Sequence, residues 1–345
     1  MIAAIRGGGR SRSRPRADPQ VVSSLMTNGK RVLVTGGAGF VGATLVRQLV
    51  ERGHAVRVFD NYTSGDAAHL AGVDAEQVQG DIRDAEALDA TLRGIDAVIH
   101  LAAGGSVIKS IEDPFANFDV NVLGTFRVLD AARRAGVERT VQASTGGALI
   151  GDATPPVDED SLPKPISPYG ASKLAGEGYA YAFSQCYRLR TVSLRFANVY
   201  GPWSAKKQGA VNLFFKAIHD GQPMVIYGDG SSSRDYTHVD DIGRALRLAL
   251  ETDVPGGTVL HIASGVETTV AELADICRAA ARAPDHPVVY RPERAGEVGR
   301  NFASCDLAKK VLGYAPTISR EEGIASTWRW YAESVFGAAG TAPSR

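Results

Sequence analysis

The run RVLVT (Arg31–Thr35), followed without a break by GGAGFVG (Gly36–Gly42), decides the fold. Five residues rich in valine and leucine read as a buried strand. Gly36, Gly39 and Gly42 then let the chain turn sharply into a helix that opens at Phe40 and Val41. Such a turn brings backbone N–H groups close to a pyrophosphate, whose charge is favoured at a helix N-terminus. The glycine spacing is a weak signal by itself, but a second β-type run, Ala55–Phe59, leads into Asp60 and Asn61, about 20 residues past the turn. An acid at that strand tip accepts hydrogen bonds from the adenosine ribose and disfavours a 2′-phosphate, so the cradle is expected to hold NAD rather than NADP. Asp81 and Ile82, after a third strand, are expected beside the adenine.

Outward from this unit, short runs rich in valine, isoleucine, leucine and phenylalanine recur at Ala97–Leu101, Thr140–Ala143 and Thr191–Phe196. They alternate with amphipathic stretches at Val41–Arg52, Ala116–Ala135 and Tyr169–Tyr187. Strands alternating with helices predict an α/β fold, a doubly wound parallel Rossmann sheet. After Phe196 the chain is dense in glycine, proline and serine, which predicts a smaller, discontinuous C-terminal substrate domain. The expected division is a disordered basic tail over 1–28, an NAD-binding domain over 29–196 with a return around 237–263, and substrate-binding structure over most of 197–336.

Composition bounds the partners. The chain has 345 residues with 38 Lys+Arg against 38 Asp+Glu, so no overall field draws it to nucleic acid or to a membrane surface. Five arginines and one aspartate fall in residues 1–25; setting them aside leaves 33 basic against 37 acidic residues. The three cysteines, Cys186, Cys277 and Cys305, have neither disulfide-framework nor zinc-ligand spacing, and the histidines show no metal spacing, so no metal is expected. With no apolar run long enough to cross a bilayer, the expected compartment is the cytoplasm.

Tyr169 and Lys173, four residues apart in SPYGASK, share one helical face. Near a cation a tyrosine becomes a usable base, so Tyr169 could take a proton from a substrate hydroxyl while Lys173 supports it. At this point the chain resembles the extended short-chain dehydrogenase/reductases, in particular their NAD-dependent sugar-nucleotide epimerase/dehydratase group. The resemblance runs from Lys30 to about Pro316 and includes, besides these motifs, HLAA (His100–Ala103), SIEDP (Ser110–Pro114), NVLGT (Asn121–Thr125), LRFANVYGP (Leu194–Pro202) and SRDYTHVDDI (Ser233–Ile242).

That resemblance implies further roles. Leu101, Ala102, Ala103 and Asn121 would line the cofactor. Thr145, or failing that Ser144, would supply the third catalytic hydroxyl. Asn198, Arg234 and Arg294 would grip the diphosphate of a nucleotide sugar, and Asn301 would stand where side-chain size sorts plain from N-acetylated hexoses. It also implies a homodimer through Phe115–Ala135 and Tyr169–Tyr187. Dehydratases of the group place Asp-Glu after the catalytic Thr, whereas this chain has Gly146-Gly147. Without that acid, oxidation and re-reduction at one carbon is favoured over loss of water. The expected activity is a 4-epimerase acting on a UDP-hexose such as UDP-glucose or UDP-galactose. The alternatives are an epimerase of UDP-glucuronate or a UDP-N-acetylhexosamine, a dehydratase or reductase, and a catalytically silent NAD-binding module.

Overall fold

Side chains alternate along β1 (Arg31–Thr35) so that Val32 and Val34 enter one core and Leu33 another, all fully buried. A strand buried on both faces needs helices on both. The computed structural model, which describes residues 29–293 and 299–337, supplies them. The basic tail lies outside the described residues.

β2 (Ala55–Asp60), β3 (Ala75–Gln79), β4 (Ala97–His100), β5 (Arg139–Thr145) and β6 (Arg190–Phe196) join β1 in one sheet. β7 (Asn198–Tyr200), β8 (Met224–Tyr227) and β9 (Ser233–His238) lie outside it, and β10 (Thr258–Ile262) returns to pair with β6. The spatial order is β10-β6-β5-β4-β1-β2-β3, with all seven strands parallel. Chain order reverses between β1 and β4, which opens a crevice at their C-terminal ends, where such sheets bind ligands.

Helices Phe40–Glu51 and Val239–Glu251 cover the Val32/Val34 face. Leu33, Phe59 and Val98 on the other face meet Leu88 and Leu92 and, from helix Thr125–Arg134, Val128, Ala131 and Ala132. The single helix predicted over Ala116–Ala135 is instead Pro114–Phe118, a π-helical segment Asp119–Gly124, and Thr125–Arg134. Contacts with distant parts of the chain account for the break. Asn121 turns its amide inward to bridge Gly104 and Ser172, and Gly124 passes so close to Ile82 that a Cβ would lie 2.6 Å from Ile82 Cδ1.

Most of the remaining residues build a second body around β9, which pairs with β7, with β11 (Glu267–Thr269) and, after β12 (Val288–Arg291), with β13 (Arg300–Asn301). β12 pairs with β8. Phe214, Phe215, Ile226, Leu273, Ile324 and Tyr331 form its core. Among the described residues no helix is long and apolar enough to cross a membrane, and all three cysteines are free thiols.

Candidate active site

Gly36 leaves β1 with φ +70°, and a Cβ there would lie 2.7 Å from the Ala102 backbone nitrogen. Gly42 is equally constrained, since its Cβ would fall 2.3 Å from the Gly36 carbonyl oxygen. Gly39, by contrast, caps helix Phe40–Glu51 without any side-chain hydrogen bond, so the first N–H groups of that helix have no capping side chain. Asp60, 7% exposed, accepts from Ala38 N at 3.0 Å through Oδ2 and from Tyr62 N at 2.8 Å through Oδ1. It braces the glycine turn and keeps lone pairs on both oxygens for a hydroxyl ligand. A tight glycine turn, an uncapped helix start and a braced carboxylate together fit a dinucleotide.

The other expected cofactor residues surround this turn. Asn61 Nδ2 donates to Asp81 Oδ2 at 2.8 Å, and Arg83 grips the same carboxylate from both its Nε and Nη2, holding it far below the usual carboxylate range. Ile82 is a core side chain, 5% exposed. Leu101, Ala102 and Ala103 follow β4, with Leu101 N donating to Thr35 O at 3.0 Å. Asn121 is a structural tie: both its N–H groups are spent, on Gly104 O and on Ser172 Oγ of the tyrosine helix, each at 3.1 Å.

Ser167 caps helix Pro168–Tyr187, and Ser110 Oγ accepts from Tyr169 N at 3.1 Å. This start of the helix lies at the C-terminal end of β5, where the Thr145 hydroxyl faces the Tyr169 phenol. Ser144, the neighbouring residue on β5, lies on the strand face that Gln142 turns to helix Pro168–Tyr187, and its Oγ is buried without a protein partner. Lys173 Nζ donates to Ala143 O at 3.1 Å. Burial pushes Tyr169 up to about 12, opposed by the Thr145 hydroxyl, and pulls Lys173 down to about 8, opposed by Glu177. Among the protein's own groups, burial therefore outweighs the lowering of Tyr169 expected from Lys173.

Two buried histidines flank this centre. His100 hydrogen-bonds Thr35 Oγ1 at 2.7 Å through Nδ1 and Thr125 Oγ1 at 3.0 Å through Nε2; burial, with Lys173 adding repulsion, pushes it down to about 3. His261 is pushed down to about 4 by burial, then by Arg195. In the unfolded chain both titrate near 6.5, so as pH falls below that value the unfolded state binds protons that the folded state refuses. Stability contributed by neutral histidine is thus complete above about pH 6.5 and is lost towards pH 4, at about 1.4 kcal/mol per pH unit for each proton. The urea midpoint should fall from pH 7 to pH 4.5, and less steeply in His100→Asn; equal slopes would overturn the assignment.

On the substrate side, Asn198 is exposed at the start of β7. Asn301 lies beside Arg234 in the β13/β9 register and reaches back to the β5 loop, where a Cβ on Gly147 would meet its Nδ2 at 2.9 Å. Gly146 faces His261 in the same way, with Nδ1 at 3.2 Å. The Arg234 guanidinium is tied to backbone, donating from Nη1 to Ser233 O at 2.7 Å and Gly299 O at 3.3 Å. Arg294 lies outside the described residues. Ile150 is fully buried and packs with Leu149, Val157, Ala263 and Ala303.

Sequence reasoning missed three residues at this centre. Glu177, one turn beyond Lys173, forms a buried bidentate pair with Arg195 of β6 (Nε–Oε1 3.0 Å, Nη2–Oε2 2.9 Å). Lys207 reaches the cleft from the loop after β7. Glu177 shares the i, i+4 spacing of Tyr169 and Lys173 and could have been found from it; nothing local marks Arg195 or Lys207.

Comparison with known proteins bears on this arrangement. Residues 32–263 match the profile of the NAD dependent epimerase/dehydratase family. A UDP-glucose 4-epimerase of Mycolicibacterium smegmatis is 38% identical over 312 residues, spanning 87% of this chain and 98% of that protein. The crystal structure of a Thermotoga maritima UDP-glucose 4-epimerase with UDP-glucose superposes with TM-score 0.84 at 36% identity, covering 88% of this chain and 99% of that one. A dTDP-glucose 4,6-dehydratase from Streptomyces venezuelae with NAD bound is as similar, with TM-score 0.82, 37% identity, and coverage of 88% and 97%. Overall likeness does not separate the two reactions, so the residues of the site must.

Proposed function

Because this chain belongs to the NAD dependent epimerase/dehydratase family, we propose that it is an NAD-dependent 4-epimerase of nucleotide sugars, of the UDP-glucose/UDP-galactose type. The observation that carries this choice is at the end of β5. The Thr145 hydroxyl faces Tyr169, and the next two residues are glycines whose side-chain space is taken by His261 and Asn301. The loop therefore offers one base and one hydroxyl, and no carboxyl group for a second carbon.

Gly36, Gly39, Phe40, Val41 and Gly42 would hold the pyrophosphate of NAD, with Asp60 and Asn61 at its ribose, Asp81 and Ile82 at the adenine, and Leu101 to Ala103 along its length. When bound, NAD supplies the hydride acceptor and donor for the sugar carbon and a positively charged ring. Tyr169 Oη takes the proton of the C4 hydroxyl and later returns it. Thr145 would position that hydroxyl, with Ser144 the second candidate for the role. Lys173 favours the phenolate through its positive charge. Asn198, Arg234 and Arg294 would anchor the diphosphate while the 4-keto sugar turns to present its other face, and Asn301 forms the pocket wall beside Gly147.

The reading includes a cytoplasmic homodimer. Phe115 (76% exposed), Phe118, Leu123, Phe126, Tyr179 and Tyr187 leave an apolar surface on the two helical stretches expected to pair. A particle of one-chain mass in light scattering would overturn that part.

Purified protein incubated separately with UDP-glucose, UDP-galactose, UDP-N-acetylglucosamine and UDP-glucuronate, without added cofactor, should yield a C4 epimer of unchanged mass from UDP-glucose or UDP-galactose. Epimerisation of only an N-acetylated or uronic substrate would replace the sugar named here. A product lighter by water or carbon dioxide would sink the epimerase reading, and no product despite bound NAD would favour the silent module.

A further inference from the structure

We propose that Lys207 is a diphosphate-binding residue at the joint between the cofactor cradle and the substrate domain, and that the group it takes is the diphosphate of the sugar nucleotide. This rests on the nucleotide-sugar reading above. Lys207 Nζ donates to Val199 O at 2.6 Å, next to Asn198, and stands 5.7 Å from the ring centroid of Phe40, the residue that opens the helix over the glycine turn. The ammonium therefore lies between the two places where phosphates are expected.

An ammonium has three N–H donors, and the protein engages one. Among the described residues no carboxylate is within ion-pairing distance of it. Lys207 is exposed, yet the protein atoms around its ammonium are enough to pull it down to about 8. A cation that the fold partly desolvates and leaves without a counter-charge gains most from an anionic ligand.

The loop is held so that this lysine stays in place. Buried Asn212 donates to Lys207 O at 3.1 Å, and Lys216 Nζ donates to Ala205 O at 3.1 Å. Trp203 packs between Arg47, 4.5 Å from its ring centroid, and Trp330, 5.6 Å away, so the loop is anchored on both bodies. Lys206 provides an internal contrast: its Nζ faces Gly65 O at 3.4 Å and the Asp66 carboxylate at 4.0 Å.

The test is calorimetric titration of the full chain with UDP and with uridine, alongside NAD retained per chain after dialysis. Lys207→Met should weaken UDP binding by about 10- to 100-fold, the loss of a charge-assisted contact. Uridine affinity and retained NAD should change less than about twofold, because neither the base nor the cofactor uses this contact. Lys207→Arg should recover most of the UDP affinity, and Lys206→Met should leave it unchanged. Unchanged UDP affinity in Lys207→Met, or equal loss for uridine, overturns the proposal. Loss of NAD with UDP binding intact assigns the contact to the cofactor and overturns the substrate assignment. A wild-type chain that binds no UDP fails earlier, at the nucleotide-sugar reading itself.

Discussion

Tyr169→Phe is expected to reduce the turnover of UDP-galactose by about 10²- to 10⁴-fold, the usual contribution of a positioned general base. The substitution removes one hydroxyl and keeps the ring on its helix, so Ser110 still receives Tyr169 N and the helix start is undisturbed. KM should therefore stay within about threefold, because the lost interaction develops in the transition state rather than in the bound substrate. Thr145→Val should have a smaller effect in the same direction, since the Thr145 hydroxyl faces Tyr169 but does not carry the proton away. Retained NAD would show that the cofactor cradle is intact. A kcat within tenfold of wild type would remove Tyr169 from the mechanism and, with it, the reason for placing the chemistry at the end of β5.

Arg195→Met should destabilise the protein by about 3–5 kcal/mol, the cost of leaving a buried charge without its partner. Glu177 and Arg195 are 6% and 5% exposed, and Glu177 lies on the helix that carries Tyr169 and Lys173. With Arg195 gone, Glu177 must either stay charged in a low-dielectric layer or take up a proton. The double replacement Glu177→Leu with Arg195→Met should recover most of the loss, because an apolar pair of similar size avoids desolvating either ion. Urea unfolding of both variants measures this; a double variant no more stable than Arg195→Met would mean that the pair stabilises the fold in its own right.

The layer around this pair also shows where reading a sequence stops. Thr140, Gln142 and Ser144 share one face of β5, and each retains a buried polar atom with no protein partner, as does His261 of β10. In sequence these residues interrupt otherwise apolar strands, yet their position under helix Pro168–Tyr187 depends on β6 and β10 lying side by side. Nothing in RTVQAST or TVLHI names its neighbour. β3, written AEQVQ, is mostly polar because it is an edge strand with little to bury. The helix predicted over Ala116–Ala135 was periodic enough to read as continuous; its π-helical break follows from Asn121 bridging Gly104 and Ser172, contacts 17 and 51 residues away.

Features that depend on neighbours along the chain are legible in the residues alone: the glycine turn, whose positive φ and close backbone approach only glycine tolerates; the alternation that buries β1 on two faces; the acid at the tip of β2; and the four-residue spacing that puts Tyr169 and Lys173 on one helical face. Tertiary structure decided which of two adjacent hydroxyls meets Tyr169, that Asn301 stands against Gly147, that Arg195 neutralises Glu177, and that Lys207 enters the cleft unpaired by any described carboxylate. The physical reason is range. Turn geometry and side-chain periodicity act over a few residues of chain, whereas burial, charge pairing and pKa are set by groups that only the packing of distant segments brings within a few ångströms.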